Sequence, residues 1–343
     1  MHIGILTYHE GLNHGAYLQA FATMRVLQGM GHEVEIINYK NKTHRYMEDI
    51  RPWLKYRRPV RFSDRIKKQV AFTRDHKSLS LSPYTTDPDV VKKRHYDVVV
   101  VGSDVVWNYK IFGYDDLYFG GANADRIISY APSFGWVNAE DQIPPEVTEG
   151  MRRYDAMSVR DENTQEIVKN LMGLEAQMVL DPTLIYDFEE DARASQRLPK
   201  PYLLVYAYTA TSATVATVRK YAEERGLETI ATGYRQDWCK RNLMGVGPLE
   251  WLTMFNKAHS VVTSTFHGMV FALLNQKQFY YIANSKARNR VISLLNTCGI
   301  VQTLNTAEDG TLIWFDPDYD EVMPRLKTAA EASRTWLLKN LAG

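Results

Sequence analysis

Cysteine is nearly missing from this 343-residue chain: Cys239 and Cys298 stand alone and far apart. Two such thiols make neither a disulfide framework nor a spaced metal-binding set, and a reducing compartment is expected. No apolar run reaches the length of about eighteen residues that a membrane-crossing helix needs. The formal net charge is only +1, so the chain as a whole gives no electrostatic case for nucleic acid or a lipid surface. The amino terminus, MHIGILTYHEG, opens on a strand without a basic leader or a long apolar segment. An ordinary signal peptide is therefore not expected, and the expected location is the cytoplasm. Tandem repeats and low-complexity blocks are absent as well.

What is present reads as globular, since 45% of residues are hydrophobic and 12% aromatic. The length exceeds the size at which single cores stop growing, so two domains are expected. Charge is unevenly spread. From Lys55 to Lys68 the text KYRRPVRFSDRIKK holds seven Lys or Arg and one Asp. This run sits inside residues 41–95, a stretch with prolines at 52, 59, 83 and 88, short helical pieces and no sheet rhythm. It reads as an insertion folded over a domain edge. Its positive face is either simply solvated or an arm for an anionic or membrane-linked acceptor. A nucleic-acid role has little support, because no recognition module accompanies the basic run.

The regular parts alternate strand and helix. His2 to Tyr8 reads as a strand, Ala16 to Met30 as a helix and Val34 to Tyr39 as the next strand, which makes a βαβ unit. Gly11, Asn13, His14 and Gly15 fill its first turn, which has neither GxGxxG nor a Walker-type lysine. The apolar strand Tyr96 to Val101 ends in Gly102-Ser103-Asp104 and Trp107 follows. Arg126 to Tyr130 runs into a small-residue turn that holds Phe134. Ala156 to Val159 delivers Arg160-Asp161-Glu162, and Met178 to Leu180 delivers Asp181-Pro182-Thr183. Successive strands thus set polar groups on one rim, where open parallel sheets bind their ligands. The text turns polar from Asp187 to Pro199, which divides the chain into residues 1–190 and 191–343. The second part continues through strands at Tyr202 to Ala207 and Glu228 to Thr232, and a helix from Pro324 to Leu341 closes it.

The most informative stretch is HSVVTSTFHGMVFALLNQKQFYYI, residues 259–282. Ser260 to Thr263 reads as a buried parallel strand. Ser264 and Thr265 can cap a helix beginning near Phe266, which puts His267 and Gly268 in its first turn. Free N–H groups there attract anions, and a glycine lets another group approach the backbone. A histidine so placed is either a satisfied core residue or a ligand-facing one. Asp104 is open in the same way between a helix cap and chemistry, and Arg160 between an ion pair with its neighbours and a ligand.

Taken in order, NHGAYLQAFA at 13–22, VVVGSDVVWN at 99–108, ISYAPSFG at 128–135, SVRDENT at 158–164, VLDPTLI at 179–185 and VTSTFHGMVFALLNQKQF at 262–279 resemble the polysaccharide pyruvyl transferase family. The resemblance implies an α/β chain of GT-B-like fold, with two Rossmann-type domains, an interdomain cleft and a C-terminal helix. Residues 1–190 would bind the acceptor and carry the insertion at about 41–95; residues 191–343 would bind the donor. The implied reaction moves pyruvate from phosphoenolpyruvate to a sugar diol of a glycan or lipid-linked saccharide and leaves a cyclic ketal. Phosphoenolpyruvate is then a substrate, and no cofactor or metal is expected.

By motif, His267, Asp104 and Arg160 are the implied catalytic residues. Arg160, Ser264, Thr265, His267, Gly268, Arg288 and Arg290 are the donor set; the acceptor set is Asp104 with Asn13 and His14 as rim candidates, and Trp107 and Phe134 either face the sugar or pack in the core. Thr265 stands where some relatives carry an arginine, and Arg288 or Arg290 is the expected substitute cation. A lipid-linked acceptor belongs to the same implication, and with it the basic run offers peripheral contact with the inner face of an anionic membrane. Two other readings stay open on sequence grounds: a GT-B glycosyltransferase with a nucleotide-sugar donor, and a non-enzymatic, membrane-associated carbohydrate-assembly protein.

Overall fold

The computed structural model describes residues 1–55, 59–194, 198, 201–208, 210–300, 304 and 306–342. Residues 56–58 of the basic run, and residues 195–197 and 199–200 of the expected division, lie outside the described residues.

Two six-stranded sheets carry the structure. The first holds β1 (His2–Leu6), β2 (Glu33–Ile36), β3 (Tyr96–Val101), β4 (Ala124–Ser129), β5 (Ala156–Val159) and β6 (Gln177–Met178), in the order β2-β1-β3-β4-β5-β6. Every pairing in it is parallel. The second holds β7 (Tyr202–Tyr206), β8 (Glu228–Thr232), β9 (Arg241–Leu243), β10 (Ser260–Thr263), β11 (Gln278–Ile282) and β12 (Leu312–Phe315), in the order β12-β11-β10-β7-β8-β9. Only β12 runs antiparallel there, against β11. Parallel strands covered on both faces need apolar residues at every position. That is why YDVVVV and SVVT, read as unbroken runs, form β3 and β10. Val98 to Val101 and Ser260 to Thr263 are all buried. Each large apolar side chain so enclosed stabilises the fold by roughly 1.5–3 kcal/mol.

The helix His14–Gly29 is buried nearly all round, from His14 to Met24 without a break. One side covers the first sheet and the other meets the helix Pro248–Lys257 of the second half, so the apolar core continues from one half into the other. The last helix, Tyr319–Ala342, starts before Pro324 and returns to the first half. There Ser333 Oγ accepts from the Leu180 amide at 2.9 Å, and Arg334 donates from Nε to the Ile185 carbonyl at 2.9 Å.

The insertion differs from the short helical pieces read in the sequence, because Pro59–His76 is one helix of 18 residues. Pro59 is tolerated at its first position, where no intrahelical partner for N–H is needed. The helix also bridges the two halves. Lys68 Nζ donates to the Gly233 carbonyl at 3.0 Å, and Arg235 Nη2 to Asp64 Oδ1 at 3.0 Å. Asp75, fully buried, accepts from the Leu249 amide at 3.0 Å and so caps the helix Pro248–Lys257, whose own N-cap is Gly247. A Cβ on Gly247 would lie 2.4 Å from that carboxylate, so glycine is what admits it. Lys68 therefore does not belong to an outward basic face, as its place in the sequence suggests; it is turned inward.

Candidate active site

The carboxyl ends of β3, β5, β6 and β10 meet across the junction of the halves and deliver Asp104, Arg160, Asp181 and His267. Asp104 takes a left-handed backbone conformation, φ +71°, which is uncommon for a residue with a side chain. Its Oδ1 accepts from the Val105 amide at 2.8 Å and from Arg160 Nη2 at 3.0 Å. Arg160 Nη1 donates to Asp181 Oδ2 and, at 3.3 Å, to Ser103 Oγ. The Cζ of Arg160 also lies 4.9 Å from the centre of the Phe266 ring.

Asp181, with 1% exposure, binds the Thr183 amide at 3.0 Å and the Thr183 hydroxyl at 2.6 Å through Oδ1. Its Oδ2 is 3.7 Å from His267 Nε2. Burial alone would raise its pKa, but His267 and Arg160, with Thr183, hold the carboxyl well below the usual carboxylate range.

His267 stands in the first turn of the helix Phe266–Leu274. Thr265 is the N-cap, its hydroxyl accepting from the Gly268 amide at 3.0 Å. Behind it, Thr263 Oγ1 donates to the Tyr206 carbonyl at 2.8 Å and accepts from the Thr265 amide at 3.1 Å. A Cβ on Gly268 would fall 2.0 Å from Thr263 Oγ1, so the group that glycine lets approach is this threonine. The imidazole is 7% exposed, and its Nε2 has no hydrogen-bond partner. Buried polar atoms are nearly always paired, and the polar group facing the enclosed Nε2 is Asp181 Oδ2, while the residue itself lines a cavity.

That cavity measures about 710 Å³, within the usual range for small-molecule sites. Its charged lining is asymmetric. The N-terminal half contributes Glu48 and Asp104; the C-terminal half contributes His267, Lys286, Arg290 and Asp309. Asp309 is held by Ser285, through its amide at 2.6 Å and its hydroxyl at 2.8 Å. The cations thus all lie on the C-terminal wall, beside Asp309, and the charged groups of the N-terminal wall are both carboxylates. Burial and the neighbouring guanidinium of Arg160 push the pKa of Arg290 down. On the opposite wall Tyr8 has its pKa raised by burial, then by Asp104, Asp115 and Glu48, and remains a phenol at neutral pH. Among the described residues no group of three His, Cys, Asp or Glu side chains could hold a metal ion.

Of the residues singled out in the sequence, Asn13, Asp104, Ser264, Thr265, His267 and Arg290 line this cavity. Ser264 also accepts from the Tyr208 amide at 3.0 Å. Thr265, which replaces a cation in the motif, serves as the cap, and Arg290 is the guanidinium on that wall. Arg288 turns away to the Ala307 carbonyl and Asp309. The Gly268 amide is taken by the cap and is not offered to a ligand.

Arg160 stands behind the wall, its two Nη atoms committed to Asp181, Ser103 and Asp104, so the clamp on a donor expected of it is replaced by a hold on two carboxylates. His14 is not on the rim. Its Nε2 bonds the Val246 carbonyl at 3.0 Å and its ring stacks on Trp251 at 5.3 Å, wedged between the halves. Burial, then Lys68, keeps it neutral by pushing its pKa well down. Trp107 and Phe134 are fully buried and pack on each other at 5.7 Å. The indole N–H of Trp107 donates to the Tyr118 carbonyl at 3.1 Å. An aromatic beside a glycine turn can point either way, and here the core takes both.

Sequence reasoning assigned no site role to Tyr8, Glu48, Lys286 or Asp181. Asp181 was legible as a rim carboxylate in DPT. Glu48 was not, because it comes from the insertion and reaches the cavity only through the fold.

The profile of the polysaccharide pyruvyl transferase family matches residues 13–286. Among solved structures, the UDP-GlcNAc 2-epimerase of Neisseria meningitidis bound to UDP-GlcNAc is similar over 100% of both chains, at 9% identity and a TM-score of 0.51. An alpha-glucosyltransferase in complex with UDP is similar over 99% of this chain and 95% of its own, at 12% identity and a TM-score of 0.50. At such identities the likeness is one of fold alone, a GT-B-like pair of Rossmann-type domains. No curated protein matches the chain.

Proposed function

This chain belongs to the polysaccharide pyruvyl transferase family, and from that premise we propose how its cleft divides the labour of moving pyruvate from phosphoenolpyruvate to a sugar as a cyclic ketal. The observation that carries the proposal is the His267 imidazole, which lines the cavity with its Nε2 set 3.7 Å from the buried carboxylate of Asp181. Phosphoenolpyruvate brings a carboxylate and a phosphate, which suit Arg290, Lys286 and the helix N-terminus at Thr265. His267, as the imidazolium beside Asp181, protonates the methylene carbon of the donor, and the adjacent carbon becomes electrophilic. One sugar hydroxyl adds to that carbon and gives up its proton to Asp104. The carbon–oxygen bond to phosphate then breaks, phosphate takes the bonding pair and the proton that Asp104 received and leaves as hydrogen phosphate, and a second hydroxyl closes the ketal as its proton returns to His267. Arg160 and Asp181 act through the groups they hold, as positioning residues.

The test is phosphate release from phosphoenolpyruvate, with product mass, over free and lipid-linked sugars. His267→Ala should lower turnover by roughly 10²–10⁴, the usual worth of a general acid. A His267→Ala rate equal to wild type would remove the histidine from the chemistry, and binding of a nucleotide sugar without phosphate release would remove the donor assignment.

The same reading places the protein in the cytoplasm, at the inner face of a membrane, with a lipid-linked acceptor. No helix among the described residues is long and apolar enough to cross a bilayer. The support comes from the insertion: of the thirteen exposed large apolar side chains among the described residues, eight fall between residues 46 and 70, among them Ile50, Leu54, Val60, Phe62, Ile66 and Val70. Exposed Arg51, Arg61 and Lys67 lie among them. Apolar side chains interleaved with cations suit the interface of an anionic bilayer. Co-sedimentation with phosphatidylglycerol vesicles, lost in Leu54→Ser/Phe62→Ser/Val70→Ser, is the expected result. Equal binding by that variant, or none by wild type, would sink it.

A further inference from the structure

A second cavity of about 790 Å³ opens beside the first, between the insertion and the first βα turn. The two share Gly11, Asn13 and Glu48 on their walls. Gly11 lets the Glu48 carboxylate lie close to the turn at this junction, because a Cβ there would be 2.9 Å from Glu48 Oε1. The second cavity lies on the acidic, N-terminal side of the first, away from Arg290 and Lys286.

Its charged lining is balanced and largely spent on itself. Glu10, Glu48 and Asp49 face Lys40, Arg45 and Arg65. Lys40, almost fully buried, has its Nζ 3.0 Å from Glu10, 2.9 Å from Asp49 and 3.8 Å from Glu48. Arg65 donates to the Glu48 carbonyl at 2.8 Å and stacks over the Trp53 ring at 4.8 Å. With Lys40 and Arg65 so engaged, and three carboxylates matching the three cations, the wall has little net charge to hold a diphosphate. It offers carboxylate oxygens to hydroxyl groups and the partly exposed rings of Trp53 and Tyr84 to apolar sugar faces. Neither cavity alone explains why the insertion reaches over the turn at Gly11 to Asn13.

We propose that this second cavity is a subsite for a neutral saccharide, holding the sugars of the acceptor chain that adjoin the one receiving pyruvate. The inference rests on the pyruvyl-transfer reading and deepens it: the preferred substrate is an oligosaccharide, and the insertion supplies the wall that measures its length.

The experiment is steady-state pyruvylation of 4-nitrophenyl glycosides of one, two, three and four sugars, in galactose, glucose and N-acetylhexosamine series. In the wild type kcat/KM should rise about ten-fold from one sugar to three, mainly through a lower KM. Trp53→Ala, and separately the exposed Tyr84→Ala, should flatten that rise to less than about three-fold with unchanged Tm. A wild type indifferent to length, or a variant with the same length dependence, overturns the subsite and leaves pyruvyl transfer standing. Absence of pyruvylated product with every acceptor overturns both.

Discussion

Gly15 lies so close to the imidazole of His267 that a Cβ built on it would sit 2.1 Å from Nδ1 and 2.7 Å from the His267 Cβ. The glycine belongs to the first helix of the N-terminal half and the histidine to the C-terminal half. The ring is thus seated by a backbone from across the junction. Alanine suits a helix, but Gly15→Ala must move the ring and the backbone that carries it, an overpacking that costs roughly 1–3 kcal/mol. A displacement of an ångström at a reacting group costs roughly 10²-fold in rate. The expected outcome is a lowered Tm together with a large loss of kcat at temperatures where the variant is still folded, measured by phosphate release beside scanning fluorimetry.

Asp181 couples the site to acid stability. Its folded pKa is held below the unfolded value near 4, so its contribution is complete above that pH and is lost as pH falls toward the folded value. Asp181→Asn should remove this acid-side dependence and cost about 3–5 kcal/mol at neutral pH, because Arg160 is left buried beside a neutral group. Urea unfolding of both proteins between pH 7 and pH 3 measures it.

Lys68 works in the opposite pH range. Burial first, then Arg65, lowers its pKa to about 7. Between that value and the ordinary one for lysine, the unfolded chain holds a proton the folded chain does not. Stability from this group therefore rises with pH across that window. Lys68→Met should flatten the climb and stabilise the protein most at and below neutral pH, and Tm across pH 6 to 10, wild type against variant, reads it.

Arg290 and Arg288 part company although they are two residues apart. Arg290 lines the cationic wall and Arg288 binds the Ala307 carbonyl. Arg290→Ala should raise the KM for phosphoenolpyruvate by roughly ten-fold or more, the worth of a charged hydrogen bond, and abolish the rise in Tm that phosphoenolpyruvate gives. Arg288→Ala should keep both within about two-fold.

The strands were legible because buried parallel strands leave an unbroken apolar run, as in YDVVVV. The rim was legible because polar residues follow those runs directly. His267 is found that way. Arg160 is placed correctly on its rim, but its direction is not, since Asp104 and Asp181 come from 56 and 21 residues away. His14 fails for the same reason: the Val246 carbonyl and Trp251 that claim it lie in the other half. Glu48 and Lys68 are invisible in a window of text, where an insertion shows only composition. What sequence patterning conveys is the position along a strand; which way a side chain faces depends on partners distant in the chain.

The helix Pro59–His76 belongs by sequence to the first half, yet its Asp64, Lys68 and Asp75 have their partners at Arg235, Gly233 and Leu249. The two halves are consequently not interchangeable cassettes. A hybrid that joins residues 1–190 to the second half of a relative would inherit an arm whose counterparts are missing, and would leave a foreign helix uncapped where Asp75 used to serve. Any shuffling of donor and acceptor specificities in such proteins has to move the arm together with the surface it grips, so lineages that alter one should show matching change in the other.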